Sequence, residues 1–347
     1  MKQASLRAGD PTRAARRIAL CLLLALSCAA SWARDGVTDL AGRQVAVPAR
    51  VERTAILGAV APLNSFVFML GRSDLIGSGL PPFFRTSYWA MQRRLGPRLA
   101  ELPVVAGSDG QPNVEALLAL APGVVLASSR GAVPVIEAVG LPVLLFEWNG
   151  FGDLMRTAEL LGEVLQARER AAEFRRSCEE NVARIAAGLA AGERPRPPRV
   201  AFLRMKTMSQ PARIADWTLS AAGGDNVGRH GLAAGQAAMT SEALLRADPE
   251  VLIVWSREER DALLADPRFA AMSAVRGQRV HAVPVGATPW LAPGVEQCLG
   301  VLWTARALHP ARFADLDPVR ETRDFYRRFF GIAIDAEEAR AILNGTN

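Results

Sequence analysis

The sequence predicts an α/β protein of two Rossmann-like lobes, each built on a mostly parallel sheet, joined by a single long rigid helix. Three observations predict it. Short apolar runs alternate with amphipathic stretches, the pattern of parallel strands with helices on both faces of the sheet. The 347 residues exceed what one ordinary core holds, so the chain divides in two. A fifteen-residue statement is also made twice: NVEALLALAPGVVLA (113–127) aligns without a gap on TSEALLRADPEVLIV (240–254), with six identical positions.

The elements follow in order. Arg13, Arg16 and Arg17 precede the apolar run IALCLLLALSCAA, and Ser31 and Ala33 offer a small-x-small site. That layout predicts a secretory signal peptide over residues 1–33, cleaved after Ala33, with an apolar run too short to be a comfortable membrane span. The rival is a lipid-anchored form acylated on Cys28, after ALS. Either way the mature chain is expected in the periplasm. The leader holds Lys2, Arg7, Arg13, Arg16 and Arg17 against Asp10, so the whole-chain charge of +6 falls to about +2 once it is removed, no footprint for nucleic acid. Of the two mature cysteines, Cys178 and Cys298, both lie on helix-like segments. An exported protein can oxidise such a pair, but spacing does not bring them together, and they are read as two separate thiols.

Residues 34–152 form the N-terminal lobe, with buried strands expected at 53–58, 74–79, 123–129 and 142–148 and helical patterns at 63–71 and 114–121. Residues 153–192 form the connector. They are rich in Ala, Glu, Arg and Leu, nearly free of breakers, and read as two consecutive helices. The second runs from Arg168 to Ala191, spans about 35 Å, and ends at Gly192 and PRPP. It is a stiff strut, where a Gly/Ser linker would let the lobes tumble. Residues 193–347 form the C-terminal lobe, with strands at 199–205, 250–256 and 279–285.

In each copy of the repeat a short helix leads through a Pro turn into a buried strand. Glu115 and Glu242 fall in the first helical turn, after Asn113 or Thr240/Ser241 as caps, where a carboxylate is favoured. One matched carboxylate per lobe also suits a two-fold symmetric partner.

Four segments carry a resemblance. They are DLAGRQVAVPARVERTAIL (39–57), the first repeat with Gly123 where Asp is common, AAGGDNVG (221–228), and the second repeat. In this order, over 37–345, the chain resembles the class III substrate-binding proteins of bacterial ABC importers, which carry ferric siderophores, haem, cobalamin and related metal chelates. The resemblance implies a monomer that holds a small-molecule metal chelate between its lobes and delivers it to an ABC permease dimer in the inner membrane. It also implies that Glu115 and Glu242 meet arginines on the two membrane-spanning subunits.

Ligands of open parallel sheets bind at the C-terminal ends of the strands. There the sequence offers Arg85, Tyr88 and Trp89 in an aromatic loop with Phe83 and Phe84, then Arg130, Trp148, Arg204, Lys206 and Trp290. Aromatics and cations together suit a bulky or flat anionic ligand. A ferric siderophore is expected first; cobalamin, haem, a nickel chelate and molybdate are the alternatives. Glu296 is read as a helix-start charge. His230, His281 and His309 have no ligand spacing, so no bare-metal site and no cofactor is expected. An exported enzyme is the rival class, but no nucleophile elbow, phosphate loop or His-Glu-x-x-His segment is present.

Overall fold

The computed structural model describes residues 36–107, 109–192, 196–210, 214–230 and 238–346. The expected leader and Cys28 lie outside the described residues.

The N-terminal lobe opens with an antiparallel pair, β1 (Val37–Thr38) and β2 (Gln44–Val45), which the sequence reading did not anticipate. Asp39 makes this turn. Its buried carboxylate accepts from the backbone N–H of Ala41, Arg43 and Leu145 and pairs with the Arg43 guanidinium at 2.9 Å. Gly42 completes the turn at φ +79°, a region costly for any residue with a Cβ. There follow β3 (Thr54–Leu57), α1 (Val60–Met69), α2 (Ala90–Leu95), α3 (Val114–Leu120), β4 (Val124–Ala127), α4 (Ala132–Glu137) and β5 (Val143–Leu145). The three longer strands form a parallel sheet in the order β3-β4-β5.

The strand expected at 74–79 does not form. Ser73–Leu75 is a 3-10 turn, and only Ile76 bridges to Thr54. The reason is a side chain 22 residues further on: the Ser78 hydroxyl accepts the Ile56 N–H at 2.9 Å, where a ladder carbonyl would stand. A Cβ on Gly79 would also lie 2.1 Å from the Leu102 carbonyl oxygen.

The connector is α5 (Phe151–Val164) and α6 (Arg168–Ala190), the latter followed by Gly192 at φ +69°. The C-terminal lobe then runs β6 (Arg199–Leu203), α7 (Ile214–Ala221), β7 (Asp225–Asn226), α8 (Ser241–Ala247), β8 (Val251–Val254), α9 (Arg257–Ala265), α10 (Ser273–Arg276), β9 (Val280–Ala282), α11 (Gln297–Leu308), α12 (Pro318–Phe325) and α13 (Ala336–Leu343). Its sheet is parallel, in the order β7-β6-β8-β9.

Both sheets are covered on both faces, which is why their strands read as unbroken apolar runs. One face of each joins a common core: Ile56, Leu126 and Phe146 from the first, Val200, Phe202 and Ile253 from the second. The opposite faces bury separate clusters around Leu57 and Val125 and around Leu203 and Leu252. The connector runs through the common core, where Phe174 meets Phe66 of α1 and Phe329 of the C-terminal segment edge to face.

Cys178 of α6 and Cys298 of α11 are joined in a disulfide, Cα to Cα 5.1 Å. This corrects the reading of two separate thiols: the helices that carry them pack side by side, a contact between residues 120 positions apart. The lobes also meet directly. Gln92 donates to the Ala287 carbonyl at 2.7 Å, the Val295 N–H to the Ser65 hydroxyl at 3.3 Å, and Arg94 pairs with Glu338.

Candidate functional site

Loops of both lobes come together where Tyr88 of the first lies near Arg204, Trp255, Glu258 and Glu259 of the second. On the C-terminal side, β6 delivers a tight loop at 204–209. Arg204 and Ser209 exchange backbone hydrogen bonds of 2.8 and 3.2 Å, with Met208 at φ +46°. Glu259 holds this loop from beneath. Its carboxylate, 6% exposed, accepts the N–H groups of Met205, Lys206 and Trp255 at 2.9, 3.2 and 3.2 Å. Both loops that leave β6 and β8 are thus tied to one acidic side chain. The Arg204 guanidinium lies 3.6 Å from the centre of the Trp255 ring, which in turn stacks on Phe202. Lys206 is exposed at the loop's tip.

On the N-terminal side, the loop at 80–89 is pinned by Arg93, which donates to the carbonyls of Phe84 and Thr86. Phe84 is buried, and Trp89 packs on it at 4.6 Å between centroids. Phe83 is left 57% exposed and Arg85 is exposed beside it. Tyr88 packs edge-on to Trp89 and reaches across to the other lobe. Its hydroxyl is buried and makes no hydrogen bond of acceptable geometry. Burial pushes its ionisation well above the usual tyrosine range. Arg204 draws it back, Glu258 and Glu259 add to the rise, and the Trp255 side chain lies close enough to oppose it without a formed bond. The proton therefore stays on Tyr88. Three donors from two lobes, the Tyr88 hydroxyl, the Arg204 guanidinium and the Trp255 indole, share one neighbourhood.

The other expected ligand residues are placed differently. Trp290 does not line the cleft: it is 1% exposed, and its indole N–H lies 3.3 Å from Glu296. Trp148 is 9% exposed and spends its N–H on the Thr157 hydroxyl at 3.0 Å. Arg130 is exposed at the strand end but held by Glu147 through both a 2.7 Å Nε contact and a second one at Nη2. Glu296 stands at the start of α11, as the sequence predicts, but its side chain does not cap the helix. It is fully buried and accepts from the Thr288 N–H and hydroxyl, Trp290 and Tyr326. Burial pushes its carboxyl up to about 7 against the pull of those bonds.

The sequence reading missed Trp255 and Glu259. Trp255 was legible in principle, since it directly follows β8 at the cleft end of the sheet. Glu259 was not, because it acts through backbone groups far away in sequence. No group of three or more His, Cys, Asp or Glu among the described residues could hold a metal ion.

The repeat folds alike in both lobes. The Asn113 side chain accepts the Ala116 N–H and the Thr240 hydroxyl the Ala243 N–H, each at 3.1 Å. Both helices end on a left-handed residue, Ala121 or Asp248, and both bury their first leucine, Leu117 or Leu244. Glu115 and Glu242 are exposed in the first turns. Hydrogen bonds from its own N–H and from Thr240 hold the Glu242 carboxylate below its usual range.

Comparison with known proteins agrees with this geometry. A family model described as periplasmic binding protein matches residues 86–285. The molybdate-binding protein MolA of Haemophilus influenzae is 26% identical over 92% of this chain and 97% of its own. Its structure bound to molybdate has a TM-score of 0.75 at 22% identity, covering 87% of this chain and 99% of that one. A periplasmic solute binding protein from Veillonella parvula has a TM-score of 0.76 at 24% identity, covering 89% and 97%. An ABC-type Fe3+-hydroxamate transport protein from Saccharomonospora viridis has a TM-score of 0.60 at 20% identity, covering 78% and 98%. Among the described residues no helix is long and apolar enough to cross a membrane. The two-lobed fold and the family match agree: the chain belongs to the periplasmic binding protein family.

Proposed function

We propose that the protein captures a compact anionic ligand in its interlobe cleft, an oxyanion of the molybdate class in the first place, and hands it to an ABC permease dimer. One observation carries this reading: the Tyr88 hydroxyl is buried, protonated and without an acceptor, beside the Arg204 guanidinium. A buried donor left unpaired costs free energy that an incoming oxygen recovers. An anion supplies that oxygen and pairs with Arg204, whose position is set by the closed loop and the Trp255 ring. A cation bound by a tyrosinate would instead have to remove a proton that burial retains. The likeness to a molybdate-binding relative supports the same class.

A second reading, a ferric siderophore, is favoured by one feature, the exposed Phe83 ring on its shelf of Phe84 and Trp89. That surface suits a bulkier ligand than an oxyanion. In either reading Glu115 and Glu242 face cationic groups on the two permease subunits, and the connector limits closure to a small hinge motion.

Calorimetric titration of the mature protein with molybdate, tungstate, ferric hydroxamate, ferric catecholate, cobalamin, haem and nickel–histidine separates the readings. Saturable molybdate binding that Tyr88→Phe weakens about 10- to 100-fold is expected, the worth of a buried hydrogen bond to a charged group. Binding of a ferric siderophore with no response to molybdate would overturn the oxyanion reading. Reversing the charge of both Glu115 and Glu242 is expected to stop uptake and leave ligand binding intact.

A further inference from the structure

The repeat carries a second matched feature beside its glutamates. Six of its fifteen positions are identical, and burial accounts for four of them. Ala116 and Ala243 pack partly against the cores beneath them. Leu117 and Leu244, Pro122 and Pro249, and Val124 and Val251 are buried. Two identical pairs remain in solvent. One is Glu115 with Glu242; the other is Leu118 with Leu245, 50% and 38% exposed. The next position has already diverged, Ala119 against Arg246.

A single exposed leucine is ordinary. The same leucine at equivalent positions of two lobes, kept where packing does not demand it, points outside the fold. Residues three apart on a helix project from one face. Each lobe therefore presents a carboxylate with an apolar side chain one turn behind it, on a helix capped and terminated in the same way.

We propose that Leu118 and Leu245 are the apolar halves of the two docking faces. Each seats in an apolar socket beside the cation that meets Glu115 or Glu242, on one of the two membrane-spanning subunits of the importer. The inference rests on the permease reading above. The paired occupant follows from the repeat itself: the same two side chains, at the same spacing on both faces, match two copies of one surface. The roles divide by physics. The carboxylates act at a distance and are screened by salt, so they govern encounter. The leucines act only once buried, are indifferent to salt, and govern dissociation.

The test measures binding of the ligand-loaded mature protein to the importer's permease–ATPase complex in lipid nanodiscs, at low and high salt. Leu118→Ala is expected to weaken binding about ten-fold, Leu245→Ala about as much, and the pair about a hundred-fold. The change should lie in the dissociation rate, with the salt dependence, ligand affinity and thermal midpoint unaltered. Leu118→Met with Leu245→Met should stay close to wild type, as should Val135→Ala with Leu264→Ala, which trims two similarly exposed residues elsewhere. If the leucine pair variant binds as tightly as wild type while Glu115→Gln with Glu242→Gln loses binding, the leucine inference falls and the glutamate docking stands. If wild type does not bind the complex at all, the permease reading falls and takes the inference with it.

Discussion

Glu296 should make the protein's stability depend on pH in the sense opposite to an ordinary ion-paired carboxylate. Its carboxyl is raised from 4.5 to about 7 by complete burial, which outweighs the hydrogen bonds from Tyr326, Thr288 and the nearby backbone. Between those two values the folded chain keeps a proton that the unfolded chain has lost. Stability therefore falls as pH rises. The contribution is fully present below about pH 4.5 and gone above about pH 7. Multiplying the rise of about 2.5 units by 1.36 kcal/mol gives about 3 kcal/mol. Other carboxylates titrate in the same range, so the quantity to measure is a difference. Urea unfolding of wild type and Glu296→Gln, followed by tryptophan fluorescence from about pH 4 to about pH 8.5, yields it at each pH. Glutamine is chosen because its carbonyl can still accept from Thr288, while its amide can donate to the Tyr326 hydroxyl. Wild type should lose about 3 kcal/mol relative to the variant across that window. A difference that stays flat with pH would show that Glu296 holds the same charge in both states, and would refute the reasoning.

Three further outcomes follow from the same structure. Reducing the Cys178–Cys298 bond, or replacing both cysteines by serine, frees a closure of 120 residues in the unfolded chain; the chain-entropy account puts the loss near 5 kcal/mol, read as a lower denaturant midpoint than the oxidised protein. Gly286→Ala sets a Cβ 2.0 Å from both Glu296 Oε1 and the Tyr326 hydroxyl, so it should destabilise by about 3 kcal/mol in thermal or urea unfolding, and a neutral result would show that this cluster yields. Glu259→Gln turns an amide group toward backbone N–H donors of Met205, Lys206 and Trp255; ligand affinity should fall about ten-fold as Arg204 loses its fixed loop, and unchanged affinity would mean the loop holds without it.

The architecture was legible because its strongest signals are local. Buried parallel strands leave apolar runs such as VVLA and VLIV, and the connector is a long breaker-free stretch ended by glycine. The paired caps at Asn113 and Thr240 sit where the repeat predicts. Signals failed where the deciding partner was distant. The run at 74–79 has the composition of a strand, but Ser78 takes the N–H of Ile56 and the ladder stops after one bridge. β7 is two polar residues, too short to leave a pattern.

The candidate site divides in the same way. Arg204 and Tyr88 were both named by one rule, that ligands meet the C-terminal ends of parallel strands, and the structure brings the two near each other. The same rule named Trp290, and there it failed. The loop at 286–296 folds inward, because the buried carboxylate of Glu296 takes the indole N–H and the Tyr326 hydroxyl from 30 residues away. Sequence alone determined the two lobes, their rigid connection and the matched glutamates, since each rests on periodicity, capping or repetition within a short window. Only the tertiary structure decided that Trp148 and Trp290 are buried, that Tyr88 comes near Arg204, and that Cys178 meets Cys298. Those outcomes depend on which buried polar groups find partners, and partners in a packed core come from anywhere in the chain.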